Sequence, residues 1–220
     1  MKSIKMLGLA VGTALALTAF VGVSAASASA TTLCKTNAAK CAQADQYPSG
    51  TQFQASLQSK TSLTLSGAGY GLTCSGSTLS GSTSAQSGEP LLAKISALTL
   101  AGCKAAAGMN CTFSAAGLPY SATFARNEEF GLEGASEGTL AASASGQFNP
   151  GIHYSCNSLG ANCTYDFADL SLEVNGGSPA TLVANEVPLV NAGLSPCAEE
   201  VTLSATYNVS TPSPLFVSYG

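Results

Sequence analysis

Val201-Thr202-Leu203-Ser204-Ala205-Thr206-Tyr207-Asn208-Val209 alternates apolar and polar side chains with a period of two. Successive side chains of an extended chain point to opposite faces, so the five apolar residues share one face of a strand and the Ser/Thr/Asn set the other. Working outward, runs of the same kind are read at 53–57, 62–65, 93–100, 111–115, 120–125, 139–148, 180–190 and 215–219, separated by Gly, Pro, Asn and Ser. Many short strands with such punctuation predict an all-β fold of sandwich-like antiparallel sheets. No segment after residue 30 carries a long 3.6-residue apolar period, so under about one tenth helix is expected there. Within 164–174 the apolar phase switches between Phe167 and Ala168, which predicts a β-bulge. Asn175-Gly176-Gly177 then predicts a tight hairpin turn, because positive φ is cheap for these residue types.

The chain has 220 residues, a formal charge of −4, 9% charged residues, 8 Cys, one His and no Trp. Phosphate neutralisation needs clustered Lys and Arg, and this thin scatter excludes a nucleic-acid binder. Lys2 and Lys5 precede an apolar run from Met6 to Val23, and small residues end in Ala28-Ser29-Ala30. That order predicts a cleavable signal helix over 1–30, with one β domain over 31–220 and no membrane association after cleavage. A membrane anchor is disfavoured by the Ala/Gly/Thr content of the run and the lack of a basic flank behind it. Leu33 before Cys34 also speaks against a lipidated cysteine. Loss of Lys2 and Lys5 leaves the mature chain more acidic.

Part of the sequence repeats. Cys74, Gly88, Pro90 and Leu100 recur at one constant offset as Cys163, Gly177, Pro179 and Leu189, and with a one-residue shift 111–115 answers 201–205. Two related β units, 74–115 and 163–205, sharing one core would follow.

All eight cysteines lie after the signal, and an even count in an exported chain predicts four disulfides. Proximity in sequence favours Cys34–Cys41, Cys103–Cys111 and Cys156–Cys163, leaving Cys74 for Cys197. The rival scheme, drawn from the repeat, keeps Cys34–Cys41 but joins Cys74 to Cys103, Cys163 to Cys197 and Cys111 to Cys156. Loop entropy gives a short bridge about 2.5 kcal/mol and a Cys74–Cys197 closure about 5 kcal/mol, so the long bridge would matter most. The spacings are not those of a structural zinc site.

Leu33-Cys34-x6-Cys41, Tyr47-Pro48-Ser49-Gly50-Thr51, Leu72-Thr73-Cys74, Leu98-Thr99-Leu100-Ala101-Gly102-Cys103, Cys111-Thr112-x4-Gly117-Leu118-Pro119-Tyr120, Cys156-x6-Cys163-Thr164-Tyr165 and Leu215-Phe216-Val217 together resemble a family of secreted, disulfide-bonded, Ala/Gly/Ser/Thr-rich bacterial β proteins. The resemblance covers nearly all of the mature chain except Asn127–Gly138. It implies export and a shared fold, and it carries no activity or functional residue. The composition is also loosely similar to the apoproteins of secreted enediyne chromoproteins, acidic β-sandwiches whose cysteine spacing differs from this one.

Gly134-Ala135-Ser136-Glu137-Gly138 matches the G-x-S-x-G elbow of hydrolases. An elbow needs a buried strand before it, a helix after it, and an acid and then a histidine downstream. Here polar residues precede it and a strand follows. His153 is the only imidazole, and Glu137 is the sole carboxylate between it and Ser136, so a catalytic pair of Ser136 and His153 is disfavoured. Glu128, Glu129, Glu133 and Glu137 lack the alternating spacing and central Gly of a calcium loop, and the 128–137 stretch reads as a solvated loop. Lys104, Met109 and Asn110, if closed in a ring by Cys103 and Cys111, could form a protease-inhibitory loop. Sequons stand at Asn110, Asn162 and Asn208.

No acid, base or nucleophile converges, and no cofactor or metal motif is found. The expectation is a secreted, non-catalytic β scaffold that presents loops to an extracellular partner. A small-molecule carrier of the chromoprotein-apoprotein type is the alternative. An outer-membrane barrel shares the period-two signature but fits poorly with eight cysteines and Gly-broken strands.

Overall fold

The computed structural model describes residues 30–67, 70–105, 111–126, 137–143, 150–156, 161–167, 170–192 and 197–220. The segment over 1–30 that the sequence predicts as a signal helix therefore lies outside the described residues, apart from Ala30. The described chain is all-β, with one 3-10 turn at Gln43–Asp45. No helix among these residues is long and apolar enough to cross a membrane.

Fifteen strands follow in chain order: β1 (Thr31–Cys34), β2 (Gln52–Leu57), β3 (Leu63–Gly67), β4 (Tyr70–Thr83), β5 (Ser87–Gly88), β6 (Leu91–Ala105), β7 (Cys111–Ala116), β8 (Tyr120–Arg126), β9 (Glu137–Ser143), β10 (Gly151–Cys156), β11 (Ala161–Asp166), β12 (Leu170–Asn175), β13 (Ala180–Asn191), β14 (Glu200–Thr211) and β15 (Phe216–Tyr219). The expected antiparallel sheets are present and close on themselves. Four long strands, β4, β6, β13 and β14, run through two stacked halves. In the lower half β2, β4, β6, β8, β9, β12, β13 and β14 pair in that order, and β14 returns to β2 to close an eight-strand barrel. In the upper half β14 pairs with β3, β3 with β4, β7 with β10, β10 with β11 and β11 with β13. The β6 and β7 edges face each other there without a ladder, so the upper ring has one seam.

The alternation that marks β14 follows from its path. Val201, Leu203, Ala205, Tyr207 and Val209 are all buried, with no change of phase from one half to the other. The other long strands shift phase at the waist between the halves. In β4 the buried set passes from Leu72 and Cys74 to Ser77 and Leu79. In β13 it passes from Ala184 to Val187, at a register shift where Glu186 has φ 50°. An extra residue in one strand bends and twists a sheet locally, which lets the walls turn from one half to the other around a single continuous core. β11 ends at Asp166 and β12 begins at Leu170, and Ala168, on which the expected bulge falls, lies outside the described residues. β11 and β12 lie on the same edge of β13, one above and one below its shift, while the Phe167 N–H turns to the Pro150 carbonyl at 2.7 Å.

The waist is bound by polar groups facing inward. The Tyr120 hydroxyl, on β8 below, donates to the Gly151 carbonyl on β10 above at 3.2 Å. Ser77 donates to the Thr99 carbonyl, so the buried Tyr207 hydroxyl donates in turn to Ser77 Oγ at 3.0 Å. Burial pushes the Tyr120 phenol up to about 12 and raises that of Tyr207, with the hydrogen bonds partly opposing. A folded-state value above the unfolded one near 10 contributes stability that is complete below about pH 10 and is lost as pH rises towards about 12. Tyrosinate absorbance is expected to show a late-ionising fraction that coincides with loss of folded circular dichroism. Simple ionisation of every tyrosine near pH 10 would contradict this.

Close approach explains one glycine of β4. Gly81 is buried opposite Ile95, and a methyl group there would run into the Lys94 carbonyl and the Phe53 ring. Gly81→Ala is expected to cost about 1–3 kcal/mol by overpacking, read from urea unfolding.

A ribbon of β1 and β15 closes the lower end. Leu33, Leu215 and Val217 enter the core from it, and Gly138 on β9 leaves the room that Val217 fills. The repeated Gly-x-Pro elements hold this ribbon at two points. Gly88 pairs with Thr31 of β1, and Gly177 exchanges backbone hydrogen bonds with Leu215, just before β15. Neither glycine has positive φ, so the 175–177 turn is not of the type expected. The glycines serve close approach: a Cβ on Gly88 would meet the Pro90 carbonyl oxygen at 2.8 Å, and one on Gly177 that of Pro179 at 2.9 Å.

The disulfides are Cys34–Cys41, Cys74–Cys103, Cys111–Cys156 and Cys163–Cys197. This corrects the proximity scheme: Cys103–Cys111, Cys156–Cys163 and Cys74–Cys197 do not form. The pairing drawn from the repeat is the one present. The reason lies in register, since Cys74 stands directly opposite Cys103 and Cys111 opposite Cys156 across antiparallel ladders.

Candidate functional site

The two ends of the barrel differ in chemistry. At the upper end the chain turns back four times, through the paired hairpins β3 to β4, β10 to β11 and β13 to β14 and through the unpaired passage from β6 to β7, because the strands of that half run up and down in chain order; the connecting residues 68–69, 106–110, 157–160 and 193–196 lie outside the described residues. Three disulfides tie this half: Cys74–Cys103 across β4 and β6, Cys111–Cys156 across β7 and β10, and Cys163–Cys197 from β11 to the chain entering β14. Lys104, Asn162, Glu199 and Glu200 are exposed at or near this end. Because Cys103 and Cys111 take other partners, no disulfide ring encloses Lys104, and Met109 and Asn110 lie outside the described residues.

Residues singled out for catalysis are not brought together. His153 sits on β10 in the upper half, with Nε2 2.6 Å from Asn162 Oδ1 on the neighbouring strand. That contact also engages the amide of the Asn162 sequon. Glu137 begins β9 at the lower end, opposite Asn175. Ser136, Glu128, Glu129 and Glu133 lie outside the described residues. Among the described residues no group of three or more His, Cys, Asp or Glu side chains could hold a metal ion.

The upper core contains an apolar hollow of about 20 Å³ between Leu65, Leu72, Ile152, Tyr154, Tyr165 and Val201. That is room for about one water molecule.

At the lower end a wider cleft of about 360 Å³ lies where the terminal ribbon crosses the outer wall of β8 and β9. Thr123 and Thr139 project from the wall, Thr31 and Tyr219 from the ribbon, and Glu89 from the Gly-x-Pro turn; Arg126 closes the lower corner. Arg126 is the only arginine in the chain. Its guanidinium carbon lies 4.2 Å from the centre of the Tyr219 ring, and Nη1 donates to the Ala39 carbonyl at 3.3 Å. Its Nε is buried without a hydrogen-bond partner among the described residues. Sequence reading missed this residue, because the strand that carries it ends in an unremarkable Phe-Ala-Arg and the ring that fixes it is at the far end of the chain.

Comparison with protein-family models, curated proteins and solved structures finds no match to this chain.

Proposed function

We propose that this protein is an exported, non-catalytic scaffold of the secreted bacterial β type that its sequence resembles, and that its crosslinked upper end presents hairpins to an extracellular partner. The observation that carries this reading is the placement of three long-range disulfides in the half where three hairpins and the passage from β6 to β7 turn back at the same end. Crosslinks lower the entropy lost when a loop surface is ordered against a partner, so rigid presentation favours binding. Four disulfides suit an oxidising, extracellular setting. The barrel keeps apolar side chains inside and Ser, Thr and Gln outside, the reverse of a lipid-facing barrel wall. The upper hollow is far below the roughly 300 Å³ that a drug-sized ligand needs, which favours the scaffold over a chromophore carrier holding its cargo in that core.

The test is affinity recovery from the source cells' medium with the intact mature protein and with a variant in which Lys104, Asn162, Glu199 and Glu200 are alanine. A protein retained by the former and released by the latter is the expected result. Recovery of a chromophore or lipid, or retention indifferent to the four substitutions, overturns the reading. So does turnover of a generic ester, glycoside or peptide that Ser136→Ala abolishes.

A further inference from the structure

We propose that the lower cleft is a binding site for a small carboxylate, with Arg126 as the residue that pairs its charge. The cleft volume, about 360 Å³, lies in the range of small-molecule sites. A guanidinium carries five N–H donors and never loses its charge. Of these, one on Nη1 is committed to Ala39 and the one on Nε is shut away from solvent, which leaves the outer Nη hydrogens to face the cleft. Among the described residues no carboxylate forms an ion pair with this half-buried cation, and Glu128, Glu129 and Glu133 lie outside the described residues. Stacking on Tyr219 and the bond to Ala39 fix the plane of the fork before anything binds, which reduces the ordering cost.

The remaining lining selects the class. A planar carboxylate matches the guanidinium fork with two parallel hydrogen bonds. Thr31, Thr123 and Thr139 line the same space and offer hydroxyls to a polar body. Glu89 stands on the wall, and the chain as a whole is acidic. A phosphate dianion would bring a second charge towards Glu89 with no second cation among the lining residues to meet it. A monocarboxylate avoids that repulsion. The carboxylate can belong to a free hydroxy acid or to the C-terminus of a short peptide. Both present the same group to Arg126, and the site is independent of the hairpins at the opposite end.

The single arginine makes the test direct. A 1,2-dicarbonyl reagent that condenses with guanidinium groups reports on Arg126 alone, and mass spectrometry reads the adduct. The probes are lactate, Ala-Ala-Ala with a free C-terminus, the same tripeptide amidated, inorganic phosphate and chloride, all at equal ionic strength. Lactate or the free tripeptide is expected to slow modification about tenfold at about ten times its dissociation constant, while the amide, phosphate and chloride leave it unchanged. Protection by lactate alone identifies a free acid as the source, and protection by the tripeptide alone a chain end. In Thr139→Val, with circular dichroism unchanged, protection at fixed probe concentration is expected to weaken about threefold. Absence of protection by either carboxylate, equal protection by phosphate or by the amide, or no effect of Thr139→Val overturns the proposal. So does an Arg126 that reacts in the reduced, unfolded chain but not in the folded protein.

Discussion

Phe124→Ala is expected to lower the unfolding free energy by about 3–5 kcal/mol, which makes it the most damaging single substitution considered for the lower barrel. Phe124 is 1% exposed on β8 and meets Phe53 of β2 edge-on, with ring centroids 5.6 Å apart and planes at 85°. The rings come from strands on different sides of the barrel, so their contact spans the interior instead of following a ladder. Loss of the ring removes its burial and leaves a cavity that a closed wall cannot collapse to fill. Urea unfolding of the oxidised protein measures the effect. Phe124→Leu, which retains most of the apolar volume, should recover more than half of it, and equal losses in both variants would show that the packed ring is not what matters.

Removing Cys111–Cys156 by a double alanine substitution is expected to cost about 4 kcal/mol, the largest loss among the four crosslinks. Its sequence separation is 45, against 34 for Cys163–Cys197, 29 for Cys74–Cys103 and 7 for Cys34–Cys41. The entropy of the unfolded chain falls with the logarithm of the loop that a crosslink closes, which sets the order; Cys34–Cys41 should cost about 2.5 kcal/mol. The fold adds a second reason. β7 pairs only with β10, and its other edge lies at the seam facing β6, so this bridge pins a strand with a ladder on one side only. Urea unfolding of the four double variants gives the order. If loss of Cys34–Cys41 costs most, unfolded-state entropy does not govern these bridges. Peptide mapping without reduction should recover Cys111 joined to Cys156, and a peptide joining Cys103 to Cys111 would contradict the structure.

Strands whose apolar residues keep one phase are plain in the sequence, and β2, β8 and β14 are close to where the alternation places them, while β13 is found despite its shift because each of its halves alternates. β4 is not. Its Tyr-Gly-Leu-Thr-Cys-Ser-Gly-Ser-Thr-Leu-Ser-Gly-Ser-Thr reads as a polar linker because the positions it buries are partly filled by Ser77, Gly81 and Thr83. Those positions are small or hydroxylic because neighbours claim the space: the Tyr207 hydroxyl meets Ser77, and the Phe53 ring crowds Gly81. β1 escaped notice for another reason. Its four residues are all buried, so a period of two has no exposed member to reveal it.

By itself the sequence determined the strand class and the even set of cysteines, and it left two pairing schemes, one from proximity and one from the repeat, between which it favoured the wrong one. Those properties depend on local periodicity and on residues that recur in register. Only the tertiary structure decided that the strands form two stacked halves, the lower of them a closed barrel, that proximity misleads for three of the four disulfides, and that Arg126 meets Tyr219 in a cleft under the β1–β15 ribbon. Closure and that contact join residues far apart along the chain, and the free energy that selects them comes from burial and register, which no local pattern encodes.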